Sequence, residues 1–273
     1  MCRRIFKNFD NKLLKIQRKL RYFGISDVGK KRDHNEDYIF LPDLMEKNRV
    51  SIIKRFTKGN LFILCDGVGG ANSGEVASKM TSTNISKMFY DGFINSKNPI
   101  KKLLKIILIV NKEVYDLASH SQELSGMGTT LVLVLIHRQV AYIISIGDSR
   151  AYLLRDHEFS QITADHSEVW ELYSQGIINK EEMRTHPRSN IITMAIGMDE
   201  ELPEDKINCN QITVEKGDTF LLCSDGLTDM VEESEIKRIL DKDKDMNVRV
   251  RSLISLANEN GGKDNISVIV IKT

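Results

Sequence analysis

The sequence predicts an α+β domain that contains two layers of β-sheet. Short apolar runs bounded by turn residues recur along the chain, and this is the pattern of buried strands. Two groups of segments with one apolar helical face interrupt these strands. The chain has 273 residues, of which 41% are hydrophobic, and is long enough to bury a sizeable core.

The first 22 residues are predicted to form a basic amphipathic helix. They carry eight Lys or Arg residues and one acid, Asp10, and apolar residues recur at three- and four-residue steps from Ile5 to Leu20. Such a helix either packs on the domain and exposes a solvated basic face, or lies on an anionic membrane or a partner. The segment has no continuous apolar run of the kind that a secretory signal contains.

Periodicity and capping signals predict the elements of the first half of the chain. Residues 42–60 are polar and basic, which indicates a surface connection. Asn98 and Pro99 are typical of the N-cap and first turn of a helix. The short connection Arg138-Gln139 requires the two strands that it joins to be antiparallel. The predicted strands are 22–28, 38–41, 61–65, 129–137 and 140–146, and the predicted helices are 74–93 and 98–119.

The second half of the chain continues the alternation of strands and helices. A strand turns near Asp156-His157, and apolar residues between Trp170 and Ile177 predict a helix that leads into a polar stretch. The predicted strands are 151–154, 219–223 and 266–271, and two later helices are predicted at 233–240 and 248–258.

Four aspartates lie where predicted strands end or begin. Asp66-Gly67, Gly147-Asp148 and Asp225-Gly226 each follow an apolar run, and Asp264 precedes the last one. A single such aspartate can be a simple turn former, but four together favour a site for hard cations, with glycine allowing the backbone to come close. Oxygen ligands select Mg²⁺ or Mn²⁺, whereas zinc prefers histidine or thiolate, and neither clusters in this sequence.

Charge balance and cysteine usage narrow the classes of function. The 39 Lys and Arg residues nearly equal the 38 Asp and Glu residues, so the chain as a whole predicts no nucleic-acid partner. The four cysteines show no CxxC spacing, and Cys65 and Cys223 fall inside predicted buried strands. Free thiols in the core suit a reducing cytoplasm better than secretion. No apolar stretch approaches the ~20 residues that cross a bilayer.

A series of short motifs runs in a fixed order through most of the chain. The motifs are Ser26-Asp27-Val28-Gly29, Arg32, Asn35-Glu36-Asp37, Asp66-Gly67-Val68-Gly69-Gly70, Gly126-Met127-Gly128-Thr129-Thr130, Gly147-Asp148-Ser149-Arg150, Thr163-Ala164-Asp165-His166-Ser167, Ser224-Asp225-Gly226-Leu227-Thr228-Asp229 and Gly262-Lys263-Asp264-Asn265-Ile266. Each is weak evidence alone, but the ordered set is highly specific. It resembles the metal-dependent protein phosphatases of type 2C, in their bacterial serine/threonine form. The resemblance implies a phosphatase domain at residues 22–273, preceded by an extension at residues 1–21.

This resemblance implies a fold and an activity. The implied fold is a four-layer sandwich of two antiparallel β-sheets flanked by helix pairs, and residues 168–195 resemble the flap beside the catalytic site of bacterial relatives. The implied reaction is hydrolysis of phosphoserine or phosphothreonine in proteins by water that two or three Mn²⁺ or Mg²⁺ ions activate. The implied partners are phosphorylated proteins, among them a serine/threonine kinase or its targets.

The resemblance also implies the metal ligands. Asp66 would bridge two ions, and the Gly67 carbonyl would ligate one of them. Asp225 and Asp264 would hold the other ion. Asp148 matches the residue that, together with Asp225, holds a third ion in bacterial members of the family.

Three residues of the first loop have implied roles beside the ions. Arg32 matches the arginine that binds phosphate in the family, and its planar guanidinium suits phosphate better than an ammonium does. Glu36 would act through bound waters, with Asp37 supporting it.

Some residues near these motifs have more than one interpretation. Asp148 could instead be structural and pair with Arg150, and Asp165 and His166 are expected to form a turn or a helix cap. Val68 stands where bacterial relatives have methionine and animal and yeast members have a proton-donating histidine. Met194 stands where an arginine often follows the flap, which would alter substrate contacts or the order of the flap.

Two other functions remain open on the sequence alone. The same fold could act on a non-protein phosphate ester, because the metal ligands and Arg32 do not distinguish the two substrates. It could also be a catalytically inactive, phosphatase-like binding module. Such a module would be expected to lack Asp66, Asp225 or Asp264, and all three are present.

Overall fold

The computed structural model describes residues 20–44, 57–69, 73–92, 98–242 and 244–273. Most of the predicted N-terminal helix and of the predicted surface connection at 42–60 therefore lies outside the described residues. Within the described residues, no helix is long and apolar enough to span a membrane.

The strands alternate with helices much as the sequence predicts, and most predicted bounds agree within two residues. The strands are β1 (Arg21–Asp27), β2 (Tyr38–Phe40), β3 (Asn60–Cys65), β4 (Gly67–Val68), β5 (Gly128–Thr129), β6 (Leu131–His137), β7 (Val140–Ile146), β8 (Arg150–Arg155), β9 (Glu158–Gln161), β10 (Asn208–Thr213), β11 (Thr219–Cys223) and β12 (Ile266–Lys272). The α-helices are α1 (Ser73–Asp91), α2 (Pro99–His120), α3 (Glu168–Ser174), α4 (Lys180–Thr185), α5 (Asp225–Thr228), α6 (Glu233–Leu240) and α7 (Met246–Glu259). Short 3₁₀ turns lie at Pro42–Leu44, Gln122–Leu124 and Glu204–Lys206.

The strands form two five-stranded antiparallel sheets and a two-stranded ribbon. Sheet one has the order β1-β12-β11-β8-β9, sheet two has the order β10-β7-β6-β3-β2, and β4 pairs with β5. Both predicted two-residue turns are present: Arg138 and Gln139 have φ of 48° and 66°, and Asp156 and His157 have φ of 48° and 64°. Positive φ at both central residues is the conformation that joins tightly paired antiparallel strands.

Three apolar layers hold the sheets and helices together. Inner-face residues such as Phe62 and Leu222 pack between the two sheets. The opposite face of sheet two packs on α1 and α2, with residues such as Ile106 fully buried. The outer face of sheet one packs on α6 and α7 through residues such as Leu253. The predicted α+β four-layer sandwich is thus confirmed.

Two of the elements that were not predicted lack a periodic sequence signal for local reasons. β10 reads Asn-Cys-Asn-Gln-Ile-Thr and lies at the edge of sheet two with most of its side chains exposed. It therefore lacks the apolar alternation that marks a half-buried strand. The β4–β5 ribbon contributes only two residues from each strand, which is too short for any periodic signal.

Candidate metal centre

The four aspartates that the sequence places at strand ends lie at one edge of the sandwich. Asp66 and Asp148 follow β3 and β7 of sheet two, whereas Asp225 follows β11 and Asp264 precedes β12 of sheet one. The pKa of Asp66 is raised well above its usual range, first by burial and then by the charges of Asp37, Asp225, Asp148 and Asp264. These five residues therefore form one electrostatic unit, which we call the carboxylate group.

Hydrogen bonds fix the backbone of Asp66. Its N–H donates to Thr130 Oγ1 at 3.0 Å, and its carbonyl accepts from the Thr130 N–H and the Thr129 hydroxyl, both at 2.8 Å. Thr130 Oγ1 also shares a 2.8 Å hydrogen bond with Ser149 Oγ, which follows Asp148 in the chain. One buried hydroxyl pair thus links the backbone that carries Asp66 to the turn that carries Asp148.

Gly67 lies where two other backbone segments approach closely. Its N–H donates to the Glu36 carbonyl at 3.1 Å. A Cβ at Gly67 would contact the Gly74 carbonyl and would lie 2.6 Å from the Glu36 carbonyl, closer than side chains tolerate. The absence of a side chain therefore allows the loop that carries Glu36 to pack beside Asp66.

Asp37 lies behind the other carboxylates. It is buried, and its Oδ2 accepts a hydrogen bond from the Ser224 hydroxyl at 2.9 Å, next to Asp225 in the chain. Burial raises the pKa of Asp37 to about 6, against the lowering effect of hydrogen bonds that include Ser267 and Ser224. Among the described residues, its Oδ1 has no hydrogen-bond partner.

Asp229 is a third acid whose charge acts on both Asp148 and Asp225, and it was not among the predicted ligands. Burial, followed by the charge of Asp165, raises the pKa of Asp148 to about 7. Burial raises the pKa of Asp225 well above its usual range, with Asp148 and Asp229 as the largest charge contributions. Asp229 lies four residues after Asp225, a spacing that places both on one side of a helix, and this spacing was the available sequence signal.

Arg150 pairs with Asp165 and not with Asp148. Its Nε and Nη2 donate to Asp165 Oδ2 at 2.9 and 2.6 Å, and Asp165 is almost fully buried. The expectation that Asp165 forms a turn or cap is wrong for its side chain, because the cap of α3 is Ser167. Asp148 therefore keeps its carboxylate available to the rim of the site.

Arg32 lies at the entrance of the carboxylate group. Its Nη2 donates to Asp264 Oδ2 at 2.7 Å, and its Nη1 is 3.9 Å from Glu36 Oε2. Its side chain is 46% exposed, whereas that of Glu36 is 9% exposed. One guanidinium thus borders the carboxylates on one side and solvent on the other, where an anion could reach it.

The donors at this edge fit a hard divalent cation. They are carboxylate and carbonyl oxygens, which Mg²⁺ and Mn²⁺ prefer. Asp225 Oδ1 is buried and, within the described residues, has no hydrogen-bond partner, so a cation would supply a missing interaction. In the described part of the chain, no three Asp, Glu, His or Cys side chains already converge in ligand geometry. Asp264 Oδ2 contacts Arg32, so a cation at Asp264 has to share or displace that contact.

A cleft of about 340 Å³ is lined by Asp148, Asp225 and residues of the segment 168–195. This segment contains α3 and α4, and one of the contacts that join it to the body of the protein is the ion pair between Lys180 Nζ and Glu233 Oε2, at 2.7 Å. The segment that the sequence analysis describes as a flap therefore borders the carboxylate group directly.

Two residues that depart from the family pattern have clear locations. Val68 is 37% exposed and lies two residues after Asp66. Met194 is 5% exposed and belongs to the core beneath α1 and α2, so its side chain is not placed to contact a substrate. The expected effect of lacking an arginine at this position, on substrate contacts or on the order of the flap, stays a prediction.

Two buried thiols lie beside the ligand positions. Cys65 precedes Asp66 and Cys223 precedes Ser224-Asp225, and both are free and fully buried. Burial raises the pKa of Cys65 well above its usual range and that of Cys223 to about 12.

Several known proteins are similar to this chain in sequence and fold over most of their length. The family model described as protein phosphatase 2C matches residues 49–266. The serine/threonine phosphatase stp of Listeria monocytogenes is 36% identical over 251 residues, which cover 90% of this chain and 93% of the relative. The protein phosphatase PhpP of Streptococcus pneumoniae is 37% identical over 249 residues, which cover 90% and 95%.

Solved structures agree with the sequence relatives. A serine/threonine phosphatase from Staphylococcus aureus superposes with a TM-score of 0.81 at 34% identity, covering 93% of this chain and 94% of that one. The catalytic domain of the phosphatase PstP in complex with two manganese ions superposes with a TM-score of 0.77 at 32% identity, covering 93% and 97%. Because the family model matches well over half of the sequence, the chain belongs to the protein phosphatase 2C family.

Proposed function

We propose that this phosphatase hydrolyses phosphoserine and phosphothreonine in proteins with two or three Mn²⁺ or Mg²⁺ ions. The observation that carries the proposal is the carboxylate group at one edge of the sandwich with Arg32 beside it. The relatives named serine/threonine phosphatases support a protein substrate over another phosphate ester. The presence of all the carboxylates argues against an inactive binding module.

The proposed ligands divide between the two sheets. Asp66 and the Gly67 carbonyl would hold one ion, and Asp66 with Asp225 and Asp264 would hold another. Asp148, with Asp225, would hold a third, and Asp229 would join them. Bound ions of this kind lower the pKa of a coordinated water toward ~7 and neutralise charge on the phosphoryl oxygens.

The residues around these ligands have separate tasks. The Arg32 guanidinium would donate two N–H groups to the phosphoryl oxygens and orient them toward the carboxylate group. Glu36 would act through waters, and buried Asp37 would support it. Val68 offers no proton to the leaving oxygen, so that proton would come from water at the Asp148 rim.

We further propose a domain division, a cellular location and partners. These proposals rest on the composition of the chain and on its similarity to known phosphatases. Residues 22–273 would form the phosphatase domain, and residues 1–21 would be an extension that contacts anionic membranes peripherally. Buried free thiols support a cytoplasmic location. Phosphoprotein substrates would include a serine/threonine kinase or its targets.

Replacing Asp66 by Asn tests the metal centre. The substitution keeps the shape of the side chain but removes the charge that would hold two ions, so kcat on a phosphothreonine peptide should fall by at least ~10³-fold. Thermal unfolding with chelator should occur at or above the wild-type temperature, because the substitution removes repulsion within the carboxylate group. Adding Mn²⁺ should stabilise the wild type more than the variant. Near-normal turnover of the variant would contradict the assignment.

Replacing Arg32 by Ala should act on substrate binding. A guanidinium that grips phosphate in both the ground state and the transition state contributes mainly to KM, so KM for a phosphopeptide should rise while Mn²⁺ binding by calorimetry persists. Arg238→Ala is the matched control, because Arg238 is an exposed arginine in an ion pair with Glu235 on α6. An unchanged KM in Arg32→Ala, or loss of metal binding, would refute the assignment.

Removing residues 1–20 should leave the chemistry intact. Strand β1 begins at Arg21, so the truncated chain keeps the sheet and should retain activity on a small aryl phosphate. The full chain, but not the truncated one, should sediment with anionic vesicles, and salt should weaken this binding. Equal sedimentation of the two proteins, or none, would rule out the membrane contact, and lost activity would show that the extension packs on the domain.

Replacing Asp148 by Ala should affect substrates unequally. If the Asp148 rim helps to deliver a proton to the leaving oxygen, kcat should fall more on a phosphothreonine peptide than on an aryl phosphate, whose leaving group hardly needs that proton. Calorimetry should show that only the weakest metal site is lost. Equal losses on the two substrates would mean that Asp148 supports only the fold or the main pair of ions.

A further inference from the structure

The loop of residues 28–36, which we call the arginine loop, carries Arg32 and Glu36 but contains no strand or helix. Its backbone must therefore find hydrogen-bond partners elsewhere if the two side chains are to be held in place. The Lys30 and Lys31 N–H groups both donate to the Gly262 carbonyl, at 2.8 and 3.2 Å. The Gly67 N–H donates to the Glu36 carbonyl at 3.1 Å, and Asn35 Nδ2 donates to Ser26 Oγ at 2.7 Å. Three more anchors of the loop come from one side chain.

That side chain is the amide of Asn265. Its Nδ2 donates to the carbonyls of Val28 and His34, both at 2.9 Å, and its Oδ1 accepts from the Glu36 N–H at 2.8 Å. The three contacts lie at the beginning and the end of the arginine loop. Asn265 is 3% exposed, so water does not replace these bonds easily.

Asn265 also contacts, through its own backbone, the Asp264 carboxylate and the glycine that follows Asp225. Its N–H donates to Asp264 Oδ1 at 2.8 Å. Its carbonyl packs against Gly226, next to Asp225, so closely that a Cβ there would clash. One residue therefore joins the arginine loop to the start of β12 and to the start of α5.

The chemistry of this position requires a carboxamide. Two carbonyls need two donors, and one N–H needs an acceptor, and of the short side chains only asparagine supplies all three. An aspartate would lose both donors, and a serine would reach one partner at most.

We propose that Asn265 is a positioning residue that sets Arg32 and Glu36 relative to Asp264. The proposal rests on the proposed phosphatase function, because its main readout is binding of a phosphorylated substrate. Removing the amide frees both ends of the arginine loop, while Arg32, Glu36 and Asp264 themselves remain.

The chain supplies a matched control at Asn111 in α2. The Asn111 side chain is also buried and makes the same three bonds: Nδ2 donates to the carbonyls of Asp199 and Glu200 at 2.9 and 3.1 Å, and Oδ1 accepts from the Gly197 N–H at 2.8 Å. None of these partners belongs to the carboxylate group or the arginine loop. Asn111→Ala therefore removes an equivalent clamp that contacts neither the arginine loop nor a proposed ligand.

The experiment is a double-mutant cycle between Asn265→Ala and Arg32→Ala, with Asn111→Ala as control. KM and kcat are measured on a phosphothreonine peptide with Mn²⁺, at a temperature below the unfolding midpoint of every variant. Asn265→Ala should raise KM about tenfold or more, since small displacements of a binding group are costly. In the Arg32→Ala background the same substitution should change KM by less than about twofold, because residues that act through one another are not additive.

The outcomes separate the positioning role from a general loss of stability. Asn111→Ala should lower the unfolding temperature to a similar degree and leave KM at the wild-type value. If Asn265→Ala and Arg32→Ala raise KM independently, or if Asn111→Ala raises KM as much as Asn265→Ala does, the positioning role is wrong. Asn265→Ser, which leaves a smaller cavity, provides the same comparison if Asn265→Ala does not fold.

Absence of wild-type activity on the peptide would refute the proposed function and is distinguishable from failure of the positioning role. In that case Mn²⁺ titration by calorimetry still tests Asn265. A displaced Glu36 should weaken Mn²⁺ binding in Asn265→Ala but not in Asn111→Ala. Equal Mn²⁺ affinities in the two variants would overturn the positioning role.

Discussion

Electrostatic repulsion among carboxylates is the constraint around which the rest of this protein is arranged. Burial raises the pKa values of Asp37, Asp66, Asp148 and Asp225, and the negative charges of neighbouring carboxylates raise them further. Left alone, such a group would move apart or bind protons. Hydrogen bonds hold the carboxylate group together instead. Thr130 bonds the backbone of Asp66, and the Ser224 hydroxyl donates to the Asp37 carboxylate. The repulsion therefore lowers the stability of the fold at this edge, and a bound divalent cation would raise it again.

The position of the group explains why this fold needs two sheets. Asp66 and Asp148 come from sheet two, and Asp225 and Asp264 come from sheet one. The apolar layer between the sheets, with residues such as Phe62 and Leu222, thus sets the distance between the two halves of the site. A core substitution that shifts the sheets relative to one another would alter the metal centre without touching a ligand.

Local sequence pattern predicts most of the fold, because strands such as β3 and β11 are mostly apolar runs that are followed within two residues by Asp66 and Asp225. The same pattern located Asp66, Asp148, Asp225 and Asp264, although their assignment to particular ions came from resemblance and stays a prediction. The partner of Arg150 could not be predicted, since Asp165 is fifteen residues away and Asp148 is only two. Asn265 was visible as part of a motif, but its contacts with residues 28, 34 and 36 are long-range and leave no local trace.

The buried thiols beside the ligands bear on which metals the centre can accept. The thiol of Cys65 belongs to the residue before Asp66, and thiolate is a preferred ligand of zinc and copper. A thiol whose pKa is held near 12, as that of Cys223 is, stays protonated at neutral pH and makes a poor ligand. A cation at this edge would therefore meet oxygen donors and not sulfur for as long as the two sheets stay packed. Discrimination against thiophilic ions would in this way depend on packing as well as on the ligands themselves.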